Sequence, residues 1–242
     1  MRISFQPGYI LHSRPYRDTS SLLEVFTREH GRIGLVARGS RGPKSKLRSV
    51  LQPFQPVLLS WLARGDLGTL TDAEPQGITH ALTGRALLSG YYLNELLQRL
   101  THRHDSHPAL YDAYQKAMAG LIDIAQTERV LRLFEKRLLR ELGYGLVLDH
   151  DVVSGSPLDV TALYTYHLER GPIVAEYATV HGLVLHGGSL LSLANDDLSD
   201  EISLRESKRL MRAVLALYLG DKPLKSRELF RQMGVSPRVA AQ

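Results

Sequence analysis

Five cations, Arg38, Arg41, Lys44, Lys46 and Arg48, stand in a glycine-rich stretch between Thr27 and Ser49, and no acidic residue follows Glu29 until Asp66. Guanidinium and ammonium groups on a backbone that can follow an irregular surface suit the gripping of phosphates along a polyanion, without reading of bases. Arg14, Arg17 and Arg32 in the preceding segments extend the set, and Tyr16 between two arginines suits either base stacking or packing. The competing reading is a solvated surface loop. Charge distribution favours the first. Residues 1–80 hold eleven Lys/Arg against six Asp/Glu, a net +5, whereas the rest of the chain balances nineteen against nineteen. One part of the chain therefore carries the whole excess, which points to a polyanionic partner for that part.

Other groupings fail as chemistry. Gly42-Pro43-Lys44-Ser45 resembles the end of a phosphate-binding loop, but proline stands where a backbone N–H should meet phosphate and the upstream glycine is missing. His102, His104 and His107 lie in a polar stretch with no matching ligand motif, and His181 and His186 read as surface or turn residues. Asp196, Asp197, Asp200 and Glu201 precede a helix, where they complement its N-terminal dipole. The chain has no cysteine, which excludes disulfides, thiol catalysis and cysteine-ligated zinc and agrees with a cytoplasmic location. No nucleophile and base arrangement stands out, so the expectation is a protein that is not an enzyme and needs no cofactor.

The elements that must position the basic residues divide near residue 80. Residues 1–80 read as five short strands, 9–14, 22–27, 32–37, 57–62 and 67–72, rich in β-branched, aromatic and leucine side chains and separated by turn residues. Five strands in about eighty residues fit a small closed barrel of OB type or an SH3-like barrel. Pro53 and Pro56 belong at a strand start or an edge. Residues 81–242 read as mostly helical, so the fold class is α+β. Leu87, Leu88, Tyr91, Leu93, Leu96, Leu97 and Leu100 trace a first apolar stripe. A second helix runs over about 109–125, with Leu110, Tyr114, Ala117, Met118, Leu121 and Ile122 inward. A third is capped by Thr127 and ended by Gly143. The stretch from Asp149 to about Asn195 has mixed, weak periodicity, so residues 150–200 read as an irregular insert with short strands or turns. A helix then opens near Ser203 with capping-box spacing to Glu206 and closes at Gly220, and a last one runs from Pro223 through Met233. Everything after Ser236 reads as a tail.

On the third helix Arg129, Arg132, Lys136 and Arg140 fall at i, i+3, i+7 and i+11, beside an apolar face of Leu131, Phe134, Leu138 and Leu142. Arg205, Lys208, Arg209 and Arg212 form a similar basic patch later in the chain. Both are compatible with ordinary amphipathic helices. A basic rim beside an apolar groove also suits an acidic peptide ending in hydrophobic residues. No run approaches eighteen apolar residues, and the N-terminus lacks the apolar core of a signal peptide.

The segments LHSRPYRDTSSLLEVFT, GRIGLVARGSR and LQPFQPVLLSW resemble the N-terminal domain of the bacterial recombination mediator family RecO, and FEKRLLRELGYG and YLGDKPLKSRELFRQ are similar to its helical domain. The resemblance covers nearly the full length and is weakest over about 150–200 and at the C-terminus. It implies an OB-fold domain on residues 1–80 followed by a helical domain on 81–242, and a role in RecF-pathway repair. It further implies binding of single- and double-stranded DNA, annealing of complementary strands, cooperation with RecR in loading RecA, and contact with the acidic tail of the single-strand-binding protein SSB. In that frame Arg14, Arg17, Arg32, Arg38, Arg41, Lys44, Lys46 and Arg48 are the DNA-binding candidates. Arg129, Arg132, Lys136 and Arg140, with Lys225 and Arg227, are the candidates for the SSB tail. Some members carry a four-cysteine zinc site; here Tyr164 and His167 stand near one such pair, so no metal is expected. The implied location is cytoplasmic and nucleoid-associated during repair. An OB-fold RNA-binding adaptor is the alternative from another class.

Overall fold

In the computed structural model, which describes residues 1–77, 81–175 and 182–232, the chain forms two compact units. One comprises Met1–Ile124 and the segment from Pro223, the other Ala125–Lys222.

The first unit is built on five strands: β1 (Arg2–Tyr16), β2 (Ser20–Thr27), β3 (Gly31–Ala37), β4 (Pro56–Leu62) and β5 (Leu67–Pro75). They close a barrel in the order β1-β2-β3-β5-β4, with β3 and β5 parallel and the other pairs antiparallel. That is the OB-type arrangement. Closure falls to β1, whose first half pairs with β4 and whose second half pairs with β2. Its register shifts between Ile3 and Gln6, where Phe5 has φ +52°, and again between Ile10 and His12. Such irregularities curl a strand enough to serve two neighbours. Alternate side chains point inward, so Ile10, Leu23, Val25, Ile33, Leu35, Val57 and Leu59 are almost wholly removed from water. Each contributes roughly 1.5–3 kcal/mol relative to an exposed position.

Between β3 and β4 lies α1 (Leu47–Val50). Phe54, at φ +68°, then turns its ring against Tyr91, with centroids 5.0 Å apart. Pro56 opens β4, as its missing N–H requires. Helices α2 (Gly84–Leu100) and α3 (Pro108–Gly120) cover the barrel. Tyr111 and Tyr114 of α3 meet Tyr9 and Phe26 of the strands at centroid distances of 5.0 to 6.3 Å. The Tyr114 hydroxyl donates to Asn94 Oδ1 (2.5 Å) and Asn94 Nδ2 donates to the Leu11 carbonyl (2.9 Å), a buried chain tying both helices to β1. Burial pushes the Tyr9 hydroxyl up to about 12 and the Tyr114 hydroxyl well above its ordinary value, so both stay neutral. The second helix ends at Gly120 rather than near Ala125, and Ile122, expected inward, is 54% exposed.

Gly31 ends the β2–β3 turn at φ +61°, and a Cβ there would lie 1.9 Å from the Asp105 carbonyl oxygen. Gly31→Ala combines a left-handed backbone with a backbone clash, so it is expected to cost more than about 3 kcal/mol. An unchanged urea midpoint would show that the 101–107 loop does not pack on this turn.

Helix α4 (Thr127–Glu141) opens the second unit. Thr127 is not its cap: Gln126 holds that position after a short 3-10 turn, and Thr127 lies inside the first turn with a buried hydroxyl. Gly143, at φ +84°, ends the helix as its freedom from a Cβ allows. Residues 150–200 contain short strands, as their weak periodicity suggests, and also a helix that it does not suggest. They hold β6 (Leu163–His167), β7 (Gly171–Val174) and β8 (Leu183–His186) in an antiparallel sheet ordered β7-β6-β8, followed by α5 (Gly187–Ala194). Helix α6 (Glu201–Leu219) is capped by Asp200, whose carboxylate accepts from the Ser203 N–H at 2.8 Å. Ser203 and Glu206 therefore form no capping box. Glu206 is buried and accepts from the His186 N–H at 2.9 Å, while the His186 ring lies 2.8 Å from its other oxygen. Gly220, at φ +64°, closes the helix. Helix α7 (Lys225–Gln232) belongs to the first unit, where Glu95 of α2 accepts from the N–H groups of Lys225 and Ser226 at 2.9 Å each. The expectations for His181, Met233 and the tail after Ser236 fall outside the described residues.

Candidate nucleic-acid interface

The glycine-rich loop is held by its own backbone, which leaves its side chains to solvent. Its Arg41 N–H donates to the Thr19 carbonyl (2.8 Å) and its Arg41 guanidinium to the Arg17 carbonyl (3.4 Å), which fastens the loop to the tip of the β1–β2 hairpin. Ser40, buried, donates to the Ala37 carbonyl (3.0 Å), and its Oγ lies in hydrogen-bond contact with Ser21 Oγ (2.9 Å). Gly42 and Ser45 each close a tight turn through the carbonyls of Gly39 and Gly42. The result brings two loops distant in sequence to one end of the barrel. Arg17, Arg38, Arg41, Lys44 and Lys46 on these loops, Arg14 on β1 and Arg48 on α1 are all exposed, and none pairs with a carboxylate among the described residues. Exposed cations without carboxylate partners act on a polyanion through their summed field. Tyr16 is half-buried, and the Arg17 guanidinium lies 5.3 Å from its ring centroid.

Arg32 is the exception among the eight candidates. It lies at the start of β3, six residues and about 20 Å from Arg38 along a strand rising ~3.3 Å per residue. Its guanidinium pairs with Glu24 (3.1 Å) and donates to the Thr101 carbonyl (2.9 Å), so it ties the barrel to the loop after α2. Arg103 closes on the same Glu24 from that loop, above Gly34. Nothing in the spacing of the chain brings Arg103 to β2 and β3; the link is tertiary.

The α4 set is redistributed more strongly. Arg129 donates to the carbonyls of Asp196 and Asp197 (2.6 Å each). Lys136 donates to those of Leu193 (2.7 Å) and Ala194 (2.9 Å) and pairs with the Asp196 carboxylate at 2.5 Å. Both residues thus complement the C-terminal end of α5. Arg132 is 4% exposed and paired with Glu135 at 2.6 Å, so it is a core residue and not a member of an open basic face. Of this row Arg140 alone is exposed, while Lys225 (exposed) and Arg227 (half-buried) stand on α7 in the other unit.

Residues 1–78 match the family model described as recombination protein O N terminal, and residues 82–228 match its C-terminal counterpart. The chain belongs to the recombination protein O family. It is 48% identical over 233 residues to a protein named DNA repair protein RecO from Nitrosococcus oceani, covering 96% of this chain and 95% of that one. The protein of the same name from Alkalilimnicola ehrlichii is 48% identical over 241 residues, 99% and 95% of the two chains, and that from Haemophilus influenzae Rd is 45% identical over 232 residues, 96% and 98%.

Two further observations bear on metals and membranes in this RecO-family chain. Tyr164 accepts from the Asp159 N–H through its hydroxyl at 2.9 Å, and no group of three or more acids and histidines that could hold a metal occurs among the described residues. No described helix is long and apolar enough to cross a membrane.

Proposed function

We propose that this RecO-family chain is a DNA-binding recombination mediator. It anneals complementary single strands and, with RecR, helps load RecA onto SSB-coated DNA in RecF-pathway repair. The observation that carries the reading is the set of seven exposed cations without a carboxylate partner among the described residues, five on two adjoining loops of the barrel (Arg17, Arg38, Arg41, Lys44 and Lys46), with Arg14 on β1 and Arg48 on α1. Annealing of this kind needs no bond chemistry. Phosphate neutralisation lowers the repulsion between two strands, and base pairing supplies the specificity. The side chains present are cations for phosphates, with no row of exposed aromatics among the described residues that would read or hold particular bases. For the acidic SSB tail the exposed Arg140 is the foremost candidate in the second unit, Lys225 and Arg227 are separate candidates on the first, and Arg129 and Lys136 hold the end of α5. The protein acts in the cytoplasm, at the nucleoid during repair.

The test is annealing of complementary oligonucleotides coated with the cognate SSB. Wild-type protein is expected to accelerate duplex formation well above the protein-free rate, with a rate that falls steeply as salt rises. If it leaves that rate unchanged, the mediator reading fails. Tight binding of structured RNA in place of DNA would favour an adaptor instead.

A further inference from the structure

The second unit carries eleven Lys/Arg against fourteen Asp/Glu, a net −3, yet its cations are unevenly satisfied. On α4, Arg129, Arg132, Lys136 and Arg137 are each engaged by carbonyls or carboxylates, and on α6 Lys208 pairs with Glu128 at 2.7 Å. Arg205, Arg209 and Arg212 of α6 differ from these. All three are exposed, and none lies within ion-pair distance of a carboxylate among the described residues; Arg212 acts on Glu128 only through space, beside the Lys208 that pairs with it. They stand at i, i+4 and i+7, so they form one stripe about 10 Å long at ~1.5 Å rise per residue. The opposite face, Leu210, Met211, Val214 and Leu215, is buried and fixes the orientation of the stripe. Like charges at such spacing repel and cost the helix stability, a cost that an external polyanion relieves.

Resting on the mediator reading, we infer that this stripe on α6 is a second nucleic-acid backbone site, separate in sequence and in compact unit from the barrel loops. A regular row of cations without base-stacking groups fits a single strand's phosphates. The exposed Ile202, one turn before Arg205, and the exposed Ala216, one turn after Arg212, are the apolar side chains beside it, so an acidic peptide with an apolar end is the competing occupant that the experiment separates. One molecule would then hold two strands, the barrel gripping one and α6 the other. Simultaneous capture is what annealing needs, since it converts a bimolecular encounter into a local search.

The experiment uses the full chain and strands that cannot pair. Protein is bound to an immobilised oligo(dT), and capture of a second, labelled oligo(dT) is measured across a salt series. The comparison is wild type against Arg205→Ala/Arg209→Ala/Arg212→Ala, three exposed positions whose loss leaves the core intact. The variant is expected to bind the first strand as wild type does. Its second-strand capture should be roughly tenfold to hundredfold weaker, with a log–log salt slope smaller by about two, at ~0.7 per phosphate contact. Unchanged capture overturns the inference while leaving the mediator reading intact, because two barrels in an oligomer would then account for bridging. Normal capture with lost binding of an acidic peptide likewise overturns it and assigns the stripe to a protein partner. If wild type fails to bind the first strand, the mediator reading itself falls.

Discussion

Replacing Arg38, Arg41, Lys44 and Lys46 together with alanine is expected to weaken single-strand binding by two to three orders of magnitude near 0.1 M salt. The reasoning is counterion release: each lost phosphate contact removes about 0.7 from the log–log salt slope, so four remove nearly three. The fold should survive, because the contacts that shape the loop are backbone bonds and Ser40, which the substitutions leave in place. The Arg41 N–H still reaches the Thr19 carbonyl, and only the weaker 3.4 Å bond of its guanidinium to Arg17 is lost. Arg32→Ala makes the informative contrast. That residue is bound to Glu24 and Thr101 at the far end of β3, so its loss should lower stability with little change in salt slope. Fluorescence anisotropy with labelled oligo(dT) at several salt concentrations measures both variants. A quadruple variant that keeps the wild-type slope would remove the loops as the DNA site.

The barrel is largely legible in the sequence because its signals are local. Alternating apolar residues, His30-Gly31 and the flanking prolines mark strands and turns wherever the chain goes next. What stays hidden is what depends on partners far along the chain. Arg32 and Arg38 look alike as sequence, and only Glu24, Thr101 and the length of β3 separate a structural arginine from an exposed one. The row on α4 misleads for the same reason: its spacing defines a face, but what covers that face is the end of α5, some sixty residues later. Strand positions within residues 150–200 escape because strands of four or five residues, such as β7 and β8, are too short to show a period. Asp200 in place of Ser203 as the α6 cap is a displacement of three residues, little more than the usual spread for a helix start read from composition.

Arg132→Glu is expected to unfold the second unit's core rather than to disable a peptide site. The Arg132 guanidinium is held 2.6 Å from Glu135, and the two side chains are 5% and 1% exposed. Removing one member of a buried pair costs about 3–5 kcal/mol, and a second carboxylate beside Glu135 adds to it. Against a typical domain stability of about 5–15 kcal/mol that is a large share, and it should lower the thermal midpoint by roughly 10 °C or more. Two controls separate structure from binding. Arg132→Met/Glu135→Met removes both charges and keeps the volume, so it should recover most of the lost stability. Arg140→Glu alters an exposed residue, should change stability by less than about 0.5 kcal/mol, and should weaken binding of a synthetic acidic peptide with the sequence of the SSB tail. The pattern that would reverse this assignment is an Arg132→Glu variant that melts like wild type and selectively loses the peptide. In that case the buried pair opens at little cost, and the four cations of α4 act as one binding face after all.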